Sequence, residues 1–236
     1  MPINDPFEWL AGFDPGYEQA RRQLARVVWQ ADTRALALKY RELMAAVILG
    51  CRAYPTMETH LRRALAAGAT LRELVEGFEV AAILGGFPAI HYALPFFSRL
   101  HEEQGDAILG DTPAPEVKSV AKGPAVSRGM SEWAWLDRID PVYEKAHQEL
   151  TRHVWTPAAP VLPVKIRELV ASVVLAYQAF PTLDGHLRRA MREGASVREA
   201  VEAMQAAALP GGFPLIHFAL PFLNKISDEI EAGAFR

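Results

Sequence analysis

The sequence predicts an all-α protein made of two tandem helical units of five to six helices each, and three observations carry that expectation. The same elements recur 126 residues apart without a gap. Apolar residues follow the spacing of helices rather than of strands, and helix start and stop signals stand at the same places in both copies. A repeat of this kind sets the organisation of a chain before any other feature does. Asp14-Pro15 matches Asp140-Pro141, Trp29 matches Trp155, Arg41-Glu42-Leu43 matches Arg167-Glu168-Leu169, and Tyr54-Pro55-Thr56 matches Phe180-Pro181-Thr182. Further on, His60-Leu61-Arg62-Arg63-Ala64 matches His186-Leu187-Arg188-Arg189-Ala190, and Gly85-Gly86-Phe87-Pro88 matches Gly211-Gly212-Phe213-Pro214. About half of the positions from Asp14 to Ser98 are identical in the second copy. The stretch between the copies holds Gly110, Pro113, Pro115, Gly123, Pro124 and Gly129 and little apolar content, as a linker does. The predicted division is a first unit over 1–100, a linker over 101–131 and a second unit over 132–236.

Within a copy, Asp14 followed by Pro15 is an N-cap with proline at the first helical position, and Tyr17, Leu24, Val27 and Val28 then recur at helical spacing to Trp29. From Leu36 to about Ala53 the chain is apolar on most sides, which predicts a buried helix crossing the unit's centre. Pro55 ends it, because the ring disfavours helical geometry at Tyr54. A shorter helix starts near Thr56, carries His60 in its first turns and stops at Gly68. Thr70 with Glu73, and Ser196 with Glu199, form capping boxes for the next helix. Gly85-Gly86 ends that helix and Pro88 opens another, in which Pro95 is expected to introduce a kink or break.

The bulk properties exclude several classes. With 236 residues, 50% hydrophobic and 22% charged, the chain is long enough for two small cores. A net charge of -3 and a pI near 6.2 lack the basic excess that nucleic acid draws on. The first ten residues include Asp5 and Glu8 and read as neither a secretory signal nor a transit peptide, so the cytoplasm is the expected location. No apolar run approaches the roughly 18 residues needed to span a bilayer. The single cysteine, Cys51, can supply neither an internal disulfide nor a cysteine-rich metal site.

Three constellations can carry chemistry. Arg41-Glu42 and Arg167-Glu168 sit on the apolar helix, where a carboxylate holds its proton more readily and suits proton transfer; a structural ion pair explains them equally well. His60 and His186, each followed by Leu-Arg-Arg-Ala, offer the side chain best poised to trade a proton near neutral pH, or else a packed interface histidine. The arginines that follow, Arg62 and Arg63 with Arg188 and Arg189, can orient an anionic carboxylate or simply face water, and one of each pair is expected to point outward. Gly-Gly-Phe-Pro leads to His91 and His217, which are candidate pocket groups at a helix junction. Trp29, Tyr54, Phe87, Tyr92 and Phe96 are expected to shape a pocket.

The order Arg-Glu-Leu, His-Leu-Arg-Arg-Ala, Gly-Ala-Thr with its capping box, and Gly-Phe-Pro resembles the carboxymuconolactone decarboxylase and alkylhydroperoxidase-like (AhpD-like) superfamily, over about 14–100 and again 140–226. The resemblance implies helical units that associate into trimers or hexamers, and here a homo-oligomer, a trimer of tandem units. The peroxidase branch of that superfamily uses a Cys-x-x-Cys pair just before the histidine. This chain has Tyr54 and Met57 there in copy one, Phe180 and Leu183 in copy two, 18 residues between glutamate and histidine, and Tyr177 opposite Cys51. Thiol hydroperoxidase chemistry is therefore not expected. The resemblance then implies a decarboxylase-like enzyme needing no metal or organic cofactor, acting on a small carboxylated lactone or keto acid through an enolate. His60 and His186 would protonate carbon, Glu42 and Glu168 would orient them, and Arg41, Arg167, Arg62, Arg188, Tyr54, His91 and His217 would bind the anionic substrate. The alternatives are an isomerase or lactone hydrolase, a metal-dependent enzyme using His60, His91 and Glu42, or a non-catalytic ligand-binding or assembly protein.

Overall fold

The computed structural model describes residues 6–30, 33–110 and 139–233, with side chains from residue 10 onward. These residues form eleven α-helices and one 3-10 turn, and no strand. The first copy comprises α1 (Pro6–Phe13), α2 (Pro15–Trp29), α3 (Leu38–Cys51), α4 (Met57–Ala66), α5 (Leu71–Gly85) and α6 (Pro88–Gln104). The second comprises α7 (Pro141–Trp155), α8 (Val164–Tyr177), α9 (Leu183–Arg192), α10 (Val197–Gly211) and α11 (Pro214–Glu231). None of these helices is long and apolar enough to cross a membrane.

The local signals work as their chemistry requires. The Asp14 and Asp140 carboxylates accept the amides of Tyr17 and Tyr143 at 2.9 Å. Both capping boxes close: the Glu73 carboxylate accepts the Thr70 amide at 2.8 Å and Thr70 Oγ1 accepts the Glu73 amide at 3.1 Å, and Ser196 with Glu199 repeats the pattern at the same distances. Each cap of this type contributes about 1 kcal/mol. The buried helices α3 and α8 end in a Schellman arrangement, in which the Tyr54 amide reaches Leu49 O at 2.9 Å and the Phe180 amide reaches Leu175 O at 2.8 Å. The residue that turns the chain there is Ala53 (φ 49°) or Ala179 (φ 55°), where glycine is the usual occupant.

Two expectations change. Pro95 does not break its helix: α6 runs unbroken to Gln104, followed by the 3-10 turn Gly105–Leu109. The ring removes the amide that would serve the carbonyl four residues back, at His91, and that residue is exposed, so water can satisfy it. The start of the stretch expected as a linker, 101–109, is thus regular structure, while 111–131 of it lies outside the described residues, as do 132–138 of the expected second unit. Nor are there two small cores. The buried side chains of both copies form one continuous cluster. The reason lies in α3 and α8, whose residues Arg41 to Gly50 and Ile166 to Ala176 are buried without interruption. A helix with no solvent face needs neighbours on every side, and one copy does not supply them. So α10 packs on α3, α5 packs on α8, and α3 packs on α8, crossing between the copies. The paired glycines serve this exchange. A Cβ on Gly85 would come within 3.2 Å of Val174, and one on Gly211 within 3.1 Å of Ile48, which are equivalent contacts between copies.

Two carboxylates clasp the exchanged helices. Glu202 on α10 accepts the Leu36 amide at 2.7 Å. Its counterpart Glu76 on α5 accepts the Val161 and Leu162 amides at 3.0 and 2.8 Å. The clasps differ in their arginines. In one, Arg34 stands 3.8 Å from Glu202 and donates to Gln205 at 2.9 Å. In the other, Pro160 replaces Arg34, Glu79 replaces Gln205, and Glu76 turns to the buried Arg167. Burial holds the Glu79 carboxyl above the usual carboxylate range, with Glu76 adding to the shift and His153 and Arg167 opposing it.

Two predictions follow from this interface. Glu76→Ala leaves Arg167 buried without its carboxylate and is expected to destabilise by about 3–5 kcal/mol. Glu202→Ala strands one buried amide and should cost about 1–3 kcal/mol; urea unfolding of both variants checks the order, and equal losses would contradict it. Glu79, with a folded pKa above its unfolded one, favours folding below the unfolded value and loses that contribution as pH rises through the folded one. Glu79→Gln should therefore leave Tm nearly unchanged at about pH 3 and raise it near pH 8, by thermal melts across that range.

Candidate functional site

The site is built where α3 meets α4 and α8 meets α9. Position 42 on α3 faces the interior, and Glu42 is 3% exposed at its side chain. The cap at Ala53 and the turn over 54–56 bring α4 back against α3, and His60 arrives with Nδ1 2.6 Å from Glu42 Oε2. In the second copy His186 Nδ1 lies 2.7 Å from Oε2 of Glu168, whose side chain is completely buried. Each ring thus meets its carboxylate through Nδ1, and Nε2 is the nitrogen with no partner among the described residues. The histidines are half-buried, 15% and 23% exposed at the side chain, so each pair sits at the edge of the core with access from outside.

Indole rings complete the constellation. Trp29 at the end of α2 lies 5.4 Å from the His60 ring, centroid to centroid, and Trp155 at the end of α7 stacks on His186 at 5.3 Å. The loop after each tryptophan is pinned by a buried arginine. Arg41 donates to the carbonyls of Val28, Gln30 and Leu36, the last two at 3.0 Å. Arg167 donates to Val154 O and, at 3.1 Å, to Leu162 O, besides its pairing with Glu76. Both arginines are 1% exposed, and burial pulls their pKa values down.

The expected residues therefore divide. His60 meets Glu42 and His186 meets Glu168. Arg41 and Arg167, expected to bind substrate, instead fasten main-chain carbonyls, and their burial closes them to a ligand. Arg62 and Arg188 are also committed elsewhere. Arg62 joins Glu58 at 2.8 Å to Glu103 at 2.7 Å, and Arg188 joins Asp184 to Glu229 at 2.8 and 2.9 Å, fastening α4 to α6 and α9 to α11. Tyr54 is 54% exposed and, among the described residues, has no hydrogen bond or ring contact to the His60 pair; its counterpart Phe180 is equally open. His91 and His217 are exposed at the start of α6 and α11, with His91 stacked on Phe87 at 6.1 Å. Among the described residues no hydrogen bond or ring contact joins them to the histidine–glutamate pairs. Among the described residues no three His, Cys, Asp or Glu side chains are grouped to hold a metal ion, so the set His60, His91 and Glu42 is not assembled.

One of the paired arginines does reach a histidine–glutamate pair. Arg189 Nε lies 3.0 Å from Glu168 Oε1, and its guanidinium stands 6.0 Å over the Trp155 ring. Position 189 is three residues from His186 and shares its helix face, whereas position 188 does not. Cys51 is near none of this chemistry. Burial pushes its thiol up to about 11, so it is protonated at neutral pH and a poor nucleophile.

Comparison with known proteins agrees with this architecture. The family model described as "Carboxymuconolactone decarboxylase family" matches the chain twice, over residues 15–99 and 141–225. A crystal structure from Burkholderia xenovorans LB400, provisionally named a gamma-carboxymuconolactone decarboxylase subunit, shares the fold with a TM-score of 0.59. It is 23% identical, and the alignment covers 97% of this chain and 92% of that one. No curated protein sequence matches significantly. With both copies matched over most of their length, the chain belongs to the carboxymuconolactone decarboxylase family.

Proposed function

We propose that the protein is a cofactor-independent, decarboxylase-like enzyme acting on a small carboxylated lactone or keto acid. The observation that carries this reading is the histidine–glutamate pair, present twice with Nδ1 held and Nε2 without a partner among the described residues. Decarboxylation breaks the bond between the carboxylate carbon and its neighbour. Carbon dioxide leaves, and the bonding electrons pass into the adjacent conjugated carbonyl as an enolate. That enolate takes a proton at carbon. An imidazolium whose Nδ1–H is fixed on a carboxylate can deliver it from Nε2, and the carboxylate stabilises the cation before transfer. The neighbouring indole gives a flat, apolar wall suited to a conjugated ring and displaces the water that would quench the enolate. Family membership supports the reaction class. An isomerase would use the same pair to return the proton elsewhere on the same skeleton, and product analysis separates the two.

The expected trimer of tandem chains has a physical basis in residues exposed at matching positions in the two copies. Tyr54, Phe87 and Leu94 are each about half exposed, and so are Phe180, Phe213 and Leu220. Large apolar side chains left open twice over suit faces covered by further chains.

Two outcomes are expected. Metal-stripped protein should release carbon dioxide from members of a panel of carboxylactones and keto acids. His60→Ala with His186→Ala should lower the rate by about 10²–10⁴-fold while circular dichroism stays helical; no release from any member, or full activity in the double variant, would sink the proposal. Light scattering behind size exclusion should give the mass of three chains, and a monomer at micromolar concentration would count against the assembly.

A further inference from the structure

We propose that Arg189 is the anion-binding arginine of the second copy, seating the substrate's carboxylate against the His186–Glu168–Trp155 cluster, and that the first copy lacks this seat. The inference deepens the decarboxylation reading and rests on it for the identity of the anion. Its basis is the state of each guanidinium near a histidine. Arg41 and Arg167 are spent on buried carbonyls and Arg62 and Arg188 on pairs of carboxylates. Arg189 differs. Only its Nε is engaged, at 3.0 Å from Glu168, and among the described residues neither terminal nitrogen has a protein partner. The side chain is 34% exposed, so that edge is open to a ligand.

The geometry favours a carboxylate on that edge. A guanidinium presents parallel N–H groups that match the two oxygens of a carboxylate. Its plane is limited by Trp155 beneath it and its charge is held by Glu168 behind it. The same indole stacks on His186, and the same carboxylate holds that histidine's Nδ1. An anion seated on Arg189 is thus placed beside the proton donor by two shared neighbours. In the first copy Glu42 pairs with His60 alone, and Arg63, which matches Arg189, is exposed with no partner among the described residues. The two sites therefore differ in how they take an anion while sharing the proton-transfer pair.

The test isolates one copy at a time in the full-length protein. With His60→Ala silencing the first copy, Arg189→Gln should raise KM for the anionic substrate by about ten- to hundredfold with a smaller fall in kcat. Arg189→Lys should recover part of the loss, and Arg192→Gln, removing an exposed arginine of the same helix, should not change KM. An unchanged KM in Arg189→Gln, or an equal rise in Arg192→Gln, would overturn the seat. A second arm needs no turnover. Titration with maleate should shift the His186 imidazole resonance saturably, assigned through His186→Ala, and Arg189→Gln should abolish that shift in folded protein. If carbon dioxide release is absent but the maleate response depends on Arg189, the reaction is wrong and the anion seat stands. If maleate leaves His186 unmoved, or moves it equally without Arg189, the seat itself is refuted.

Discussion

Everything in this molecule depends on two helices that have no solvent face yet carry an arginine and a glutamate each. Taking either charge out of water is costly unless it is met by a partner. For Arg41 and Arg167 the partners are main-chain carbonyls on the segment that follows α2 or α7. This satisfies the guanidinium and fixes the segment on which the tryptophan sits. For Glu42 and Glu168 the partner is a histidine from the next helix. The demand for compensation thus draws indole, imidazole and carboxylate to the same end of each buried helix. The histidine–glutamate pair is a product of core electrostatics rather than an addition to a finished scaffold.

The same burial explains why the copies interlock. Wrapping α3 takes α4 and α6 from its own copy and α10 from the other, and α8 is wrapped reciprocally. Packing of this sort is directed by shape, through the glycines at 85 and 211, and fixed in register by the carboxylates at 76 and 202, which read amide positions across the interface. The pseudo-symmetry is imperfect where the residue types differ. With Arg34 present, Glu202 is drawn to the surface arginines and Arg41 keeps one buried nitrogen without a hydrogen bond. With Pro160 in that place, Glu76 pairs with Arg167 instead.

The histidines and glutamates were named as candidates without their meeting being readable, whereas helix order, both capping boxes and the Asp-Pro starts were legible in the sequence, because each depends on residues close in the chain or on a motif written twice. The exchange of α5 and α10 was not, since apolar spacing reports that a face is buried and not which copy buries it. The arginines were misjudged for a related reason. Charge type is visible in sequence, but whether Arg41 meets a ligand or Val28 O depends on the path of a loop with no periodic signal. The short α1 also went unseen: its eight residues include Gly12 and lack the length over which helical periodicity can be recognised.

The crossing of helices between copies changes what kind of object the chain is in solution. Two separate units with such faces would have to find each other, and their folding would weaken on dilution by mass action. Joined in one chain, each meets its partner at an effective concentration set by the intervening segment rather than by the number of molecules present. The fully wrapped α3 and α8, and the two histidine–glutamate pairs that hang from them, are then as well formed in a single isolated chain as in a concentrated solution.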